Sequence, residues 1–426
     1  MKKVRVWFRA LPLHKRGEAL LLAGFFLSFA LGQLGRIYLT PSLSFYVHDI
    51  LIGLWLLSHL QWMVFAFKKL LGWLKLHPLL VASILWIGIG LLWGIFSHPE
   101  LRPLLILLRL VSYTFFSASV ADLFDKNRVL LRGLLVISAN LMLWLALLQY
   151  LFIPDTRFLS ILGWDDHYFR LIGPLFDPNF TGMFIVLTIV YTASIHLLLP
   201  KKVQIVLQSY YAALLAVTYS RASYATAGLA ALLLAAIPLP LKYWKVGQRL
   251  ALGAVAFVVF SIVLFCAPKP GGEGVRLLRT ASIEARQTSA YSTFQHLSAF
   301  ELIVGRGLFS SSSSTPSASA IPNHAQVPDN IILLLLSGTG IVGTILLVSS
   351  VLYWIGVLST KEAALAIALG VTLLHAQFNN TFFEPFISLY LLLALFAPLE
   401  KERFQFTPNK RFRGKKKKIK YPKRQS

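Results

Sequence analysis

Six arginines, Arg170, Arg221, Arg276, Arg279, Arg286 and Arg306, lie beside or between strongly apolar runs of the chain. A guanidinium keeps its charge at physiological pH and offers a planar fork of donors, which makes it the side chain best suited to phosphate oxygens. Several of them on one face of a membrane, next to a loop able to cover them, suit a pyrophosphate head group. Taken singly, each is served as well by snorkelling, or by pairing with an acid such as Asp177 or Glu284.

Two of the six stand in distinctive local sequence. Arg170 begins a segment that continues through Gly173, Pro174, Asp177, Pro178 and Asn179 to Gly182. Pro178 fits the first turn of a helix with Asp177 as its N-cap. That spacing predicts a helix N-terminus beside Arg170, an arrangement that favours anions. Arg221 lies in Thr218–Tyr219–Ser220–Arg221–Ala222–Ser223, a short polar turn between two apolar runs. A third segment holds His324, Pro328, Asp329 and Asn330, then an apolar run interrupted by Gly338–Thr339–Gly340 and Gly343. Asp329 and Asn330 are expected to begin a span there.

The elements that must position these residues are membrane helices. The chain has 426 residues, 56% hydrophobic and 14% charged, with a mean hydropathy of +0.67. A soluble protein carries nearer a quarter charged residues. Apolar runs of about 20 residues recur, the length a helix needs to cross the hydrocarbon core. Helices satisfy every backbone group within their own segment, and the runs lack the alternation of a membrane barrel. The fold class is therefore all-α and polytopic, with about 12 transmembrane helices. The spans are expected near residues 17–33, 46–66, 78–97, 101–120, 130–152, 180–199, 203–219, 222–240, 249–267, 329–357, 362–380 and 384–399. The first is expected to serve as an uncleaved signal.

Lys and Arg in the short loops set the orientation. Basic residues crowd the first 16 residues, with Lys2, Lys3, Arg5, Arg9, Lys15 and Arg16, and the tail from Lys410 to Arg424. Alternate loops agree: Lys68, Lys69 and Lys75; Lys126, Arg128 and Arg132; Lys201 and Lys202; Lys242, Lys245 and Arg249. Both ends are then cytoplasmic, and the six arginines named first are exceptions on the outer side. The net charge of +24 is mostly this topology signal. The tail is expected to lie against anionic lipid rather than nucleic acid.

The domain organisation follows: a cytoplasmic segment 1–16, spans over 17–267, a large extracytoplasmic loop 268–328, spans over 329–399 and a basic tail 400–426. Within the loop, Val275 to Val304 reads as one or two amphipathic helices, followed by Gly305–Arg306–Gly307 and the run Ser310–Ser314. Cys266 is the only cysteine, so no internal disulfide forms, and it is expected inside a span as a small hydrophobe. There is no Walker motif, dinucleotide fingerprint or zinc-type histidine spacing in the sequence.

At these segments the chain resembles the O-antigen ligase and polymerase family of bacterial envelope glycosyltransferases, over roughly residues 130–400. The resemblance rests on the span layout with its late loop and on three motifs: Arg170 to Asn179; Ser220–Arg221 before a span; and Asp329–Asn330 followed by Gly340–Ile341–Val342–Gly343. Arg286 to Gly307 is also similar to the family's stretch leading to Gly-x-Gly. It implies a GT-C-like helical bundle in the bacterial inner membrane, with its active site facing the periplasm. A glycan on undecaprenyl pyrophosphate would pass to an acceptor sugar hydroxyl, on lipid A–core in a ligase or on another glycan in a polymerase. No nucleotide, other cofactor or metal is implied, and the partners are the lipid-linked donor, the acceptor and membrane lipids.

Carried over by position, Arg170 and Arg221 would hold the leaving pyrophosphate, with Arg286 as a further clamp and Arg279 and Arg306 beside it. Asn179 and Asn330 would position substrate. Where ligases of the family carry a loop histidine, this chain has Asp329; His324 lies five residues earlier, and either group suits the base that takes the acceptor proton. The rival class is a polytopic transporter of a lipid-linked or anionic substrate. Its candidates are the polar residues inside apolar runs: His48, Asp49, Arg109, Asn140, His375, Asn379 and Asn380. The paired broken helices or inverted halves of such transporters are not evident in the sequence.

Overall fold

The computed structural model describes residues 13–40, 43–97, 102–125, 127–195, 199–236, 246–270, 274–277, 286–309 (except 289, 292, 294 and 296), 328–360 and 362–397. Residues 1–12 and 398–426 lie outside the described residues, as do Arg279, His324 and the run Ser310–Ser314.

The described chain is all-α apart from one short hairpin. In order it forms α1 (Leu13–Ala30), β1 (Arg36–Thr40), β2 (Leu43–Tyr46), α2 (Val47–Ser58), α3 (Leu60–Leu74), α4 (Pro78–Ser97), α5 (Arg102–Leu123) and α6 (Arg128–Phe152). After a loop carrying two short 3₁₀ turns come α7 (Pro178–Ser194), α8 (Lys201–Ala216), α9 (Arg221–Ala236) and α10 (Val246–Cys266). The last are α11 (Ala299–Val304), α12 (Ile331–Ser359), α13 (Ala363–His375) and α14 (Pro385–Phe396). The bundle thus has a loop end, with residues 31–40, 43–46, 153–177, 217–221 and 375–384, and an opposite end that holds residues 123–125, 199–201 and 359–360.

Among the described residues five helices are long and apolar enough to cross a membrane, within α4, α5, α6, α10 and α12; a sixth joins them if the bent pair α2–α3 counts as one span. Four more apolar helices are short: α7, α9, α13 and α14. At 1.5 Å per residue, the 12 residues of α14 rise only about 18 Å, short of the ~30 Å hydrocarbon core. Short helices of this kind keep their polar ends close to the middle of the bundle.

Two expected spans are interrupted. The run 46–66 is two helices that meet at 85°. The break is at His59, where Ser58 Oγ donates to the Trp55 carbonyl at 2.7 Å and His59 Nδ1 approaches it at 2.9 Å. Side chains that compete for a helix carbonyl end or bend the helix. The His59 ring also stacks on Trp55, 4.3 Å between centroids. The run 329–357 is broken at Gly340, whose φ of 64° and ψ of −176° are not helical.

The loop fills that second break. Arg306 N donates to Ser337 O at 2.8 Å and Gly307 N to Gly338 O at 3.0 Å. Trp86 Nε1 on α4 donates to Thr339 O at 2.8 Å. A Cβ at Gly94 on α4 would lie 2.8 Å from Gly307 Cα, so the backbones touch. The Gly-x-Gly of the loop and the Gly-rich stretch of α12, read separately in the sequence, are one joint. Of the amphipathic helices expected over Val275–Val304, the structure describes α11 and a helical stretch at Arg286–Thr288.

α7 lies at the centre of the bundle. Most of its residues are buried, and its sequence is apolar all round, as a helix enclosed by others must be. Phe184 on α7 meets Tyr390 on α14 at 5.0 Å, and Phe29 on α1 meets Phe386 at 5.7 Å. At the opposite extreme α10 has no buried residue and exposes Phe257, Ile262 and Phe265. Cys266, at its last position, is exposed rather than enclosed. Arg132 lies inside α6, 1% exposed, and ties the bundle at the end opposite the loops: its Nε donates to Ala397 O beyond α14 at 2.7 Å, with Glu362 at 3.6 Å.

Candidate functional site

The Asp177–Pro178 pair caps α7 as the spacing predicts. Asp177 Oδ1 accepts from Asn179 N at 2.6 Å and Phe180 N at 2.9 Å, with Pro178 in the first turn. Burial raises the Asp177 carboxyl above the usual aspartate range, against the lowering effect of the Phe180 N–H and of Arg170. The carboxylate thereby occupies the helix N-terminus that the sequence offered to an anion. An anion at this end must be held by side chains. Replacing Asp177 by Ala is expected to cost about 1 kcal/mol and Asp177→Asn much less, because Asn caps as well as Asp; unfolding of the full chain in detergent measures both.

Arg170 is 5% exposed. Its Nε donates to Thr218 O at 3.1 Å and an NH2 group reaches Tyr219 O at 3.5 Å. It thus clamps the turn that presents Arg221, a turn in which Tyr219 takes a positive φ of 52°. Arg221 is the first residue of α9, half-buried, and its NH1 donates to Leu277 O of the loop at 3.2 Å.

A polar chain runs inward from this turn. Ser220 Oγ donates to Asn179 Oδ1 at 2.8 Å, and Ser223 Oγ contacts Ser220 Oγ at 2.9 Å and His375 Nε2 at 3.0 Å. His375 Nδ1 meets Thr381 Oγ1 at 2.6 Å. A Cβ at Gly182 would come within 2.4 Å of Ser223 Oγ, so the glycine lets α7 and α9 close on this chain. His375 is fully buried with both ring nitrogens partnered, a satisfied bundle histidine.

The segment after α13 carries the remaining groups. Arg286 from the loop reaches Asn379 Oδ1 at 3.4 Å, and its Nε is buried with no hydrogen-bond partner among the described residues. Asn330 caps α12, accepting from Ile332 N at 2.8 Å and Leu333 N at 3.2 Å, while its Nδ2 donates to Gln377 O at 2.9 Å. Asn380 Nδ2 donates to Pro328 O. Asp329 is half-buried immediately before the cap. Glu384 caps α14 with one oxygen, accepting from Ile387 N at 2.8 Å, and its other oxygen is buried without a partner among the described residues.

The structure therefore links Asn179, through Ser220 and Ser223, to His375 at the C-terminal end of α13, with Arg286 at Asn379 and Asn330 at Gln377 just beyond it, while Arg170 and Arg221 belong to the 218–221 turn at the head of this chain. Arg306 is placed in the glycine joint instead, where its Nε pairs with Glu301 at 2.9 Å. Arg276 is exposed. The sequence reading passed over Ser223, Thr381 and Glu384. Glu384–Pro385 repeats the Asp177–Pro178 pattern, so the same capping rule would have found it. Ser223 carries no local signal, because its partner His375 lies 152 positions away, and Thr381, six positions after His375, meets it only because α13 ends between them.

One group among the described residues could offer three ligand atoms to a metal: Asp165, His167 and Asp177, all within 4.8 Å of one another. No ligand-type spacing marks it in the sequence; the loop 153–177 folds back to bring the three together. Asp177 Oδ1 is already engaged at the α7 cap.

Compared with known proteins, the chain matches no family model and no curated relative.

Proposed function

We propose that the chain is a membrane glycosyltransferase of the O-antigen ligase or polymerase type, moving a glycan from undecaprenyl pyrophosphate to an acceptor sugar hydroxyl. The observation that carries this reading is that three arginines bond at the loop end of the bundle, Arg170 to the Thr218 carbonyl, Arg221 to the Leu277 carbonyl of the loop and Arg286 to Asn379. Under the positive-inside rule that end faces the periplasm. Ten spans result if the bent pair α2–α3 counts as one and the short helices α7, α9, α13 and α14 each cross, aided by the irregular segments at their ends, and α1 and α8 would bring the number to twelve. Irregular backbone at that depth is tolerated where protein buries it.

In the reaction the acceptor oxygen forms a bond to the anomeric carbon as the bond from that carbon to the pyrophosphate oxygen breaks. The acceptor proton goes to the base, Asp329 or His324, and undecaprenyl pyrophosphate leaves. Arg221 and Arg286 stabilise the charge that builds on it, and Arg170 holds the turn that aims Arg221. No nucleotide takes part.

A strain lacking the gene, complemented with the wild type or with the Arg221→Ala/Arg286→Ala pair, provides the test. The wild type is expected to restore surface glycan on gels and the pair to fail at equal protein level. Bare lipid A–core with polymer left on its carrier identifies a ligase, and a single repeat attached to the core identifies a polymerase. Full glycan from the pair sinks the proposal.

A further inference from the structure

A cavity lined on one side by polar groups lies at the loop end, walled by the hairpin, α2 and α5, with a volume of about 540 Å³. Two cations line it, Arg36 of β1 and Arg109 of α5, together with Ser44, Asp49, Ser112 and Tyr113. Asp49 is fully engaged. Its Oδ2 accepts from Arg109 NH2 at 2.9 Å and Tyr46 N at 3.1 Å, and its Oδ1 from Tyr113 OH at 2.6 Å. That single carboxylate balances Arg109. Arg36 donates Nε to Ser44 Oγ at 2.9 Å, and among the described residues no carboxylate pairs with it. Among the described residues the cavity lining therefore carries about one unbalanced positive charge, with guanidinium and hydroxyl donors suited to phosphate oxygens.

Its other side is apolar. Ile50 and Leu108, 49% and 59% exposed, stand on the outer surface of α2 and α5 and also line the cavity. Between them Gly53 faces open space, with no atom within 4 Å of where a Cβ would be. An occupant must place an anionic group against Arg36 and Arg109 and an apolar chain along Ile50, Gly53 and Leu108. A soluble anion meets only the first condition.

We propose that this cavity binds the phosphate head of an anionic membrane lipid, entering sideways between α2 and α5. The binding does not depend on the transfer reading, and its test reads no transfer.

The full chain in detergent, examined by native mass spectrometry with added phosphatidylglycerol or phosphatidylcholine, tests it. The wild type is expected to retain phosphatidylglycerol about tenfold better than phosphatidylcholine, the scale of one charge-assisted hydrogen bond. Arg36→Gln and Gly53→Leu should each abolish that preference, the first by removing the unbalanced charge and the second by filling the cavity. Gly53→Leu enters open space and improves helix propensity, so it leaves folding intact. Gly88→Leu, also without atoms within 4 Å of its Cβ position, is the matched control and should keep the preference. Equal retention of the two lipids by the wild type would overturn the proposal. So would an undiminished preference in Arg36→Gln and Gly53→Leu, or displacement of the lipid by millimolar inorganic phosphate.

Discussion

Arg221→Ala is expected to lower glycan transfer by about 10²–10³, the usual loss when one charge-stabilising donor is removed, while leaving the amount of folded protein unchanged. Arg170→Ala is expected to lower the amount of folded protein itself. The difference comes from where the two guanidinium groups sit. Arg221 is half-buried at the start of α9 and reaches outward to the loop carbonyl of Leu277. Arg170 is 5% exposed and holds the carbonyls of Thr218 and Tyr219, two residues with no exposed surface. Truncating it strands buried acceptors at about 1–3 kcal/mol each. Arg170→Lys keeps a charge but loses the fork, and is expected to fall between the two. Surface glycan on gels, beside a blot of membrane-inserted protein, separates the cases. Arg221→Ala with full glycan, or Arg170→Ala with normal protein level and melting midpoint, would contradict this division of roles.

Gly340→Ala is expected to undock the loop from the bundle and destabilise the chain by more than about 3 kcal/mol. Its φ of 64° with an extended ψ is open to glycine almost alone, and strain of that kind costs about 1–3 kcal/mol in any other residue. Space is the larger problem: a Cβ would lie 2.0 Å from Ile303 O, a backbone atom that cannot swing aside. Relief requires α11 to lift, which breaks the bonds from Arg306 N to Ser337 O and from Gly307 N to Gly338 O, about 0.5–1.5 kcal/mol each. Gly356→Ala in the same helix meets nothing within 4 Å and is expected to be neutral or slightly stabilising. Thermal unfolding in detergent reads the first effect. Trypsin reads the second, because Arg306, whose side chain is 16% exposed in the joint, should become a cleavage site in Gly340→Ala only. Identical melting and cleavage in the two variants would rule the joint out as a structural tie.

The features legible in the residues were those built from neighbours in the chain. The apolar runs announced helices, and Asp177–Pro178 announced the start of α7, because a cap bonds N–H groups two and three positions on. Asn330 at the head of α12 was legible for the same reason. The arginines stood out because an apolar chain has few reasons to carry them.

Other features depended on which of several possible partners a group takes, or on segments far apart in sequence. The 85° bend needed His59 and Ser58 to take a carbonyl from their own helix, a choice that periodicity does not report. Gly340 looked like one small residue among several, yet only its contact with Ile303 gives the glycine a function. Arg109 read as a stray intramembrane charge until Asp49, sixty positions earlier, proved to be its partner. Arg170 and Arg221 carried equal weight as a pair of cations, and the fold made one a clamp and the other a candidate ligand. The sequence by itself determined an apolar helical chain with cations clustered late along it. The tertiary structure decided which cations are consumed in holding the backbone and which face a site. A short-range bond is set by residue type and spacing, whereas burial and partnership depend on which distant helices close against each other.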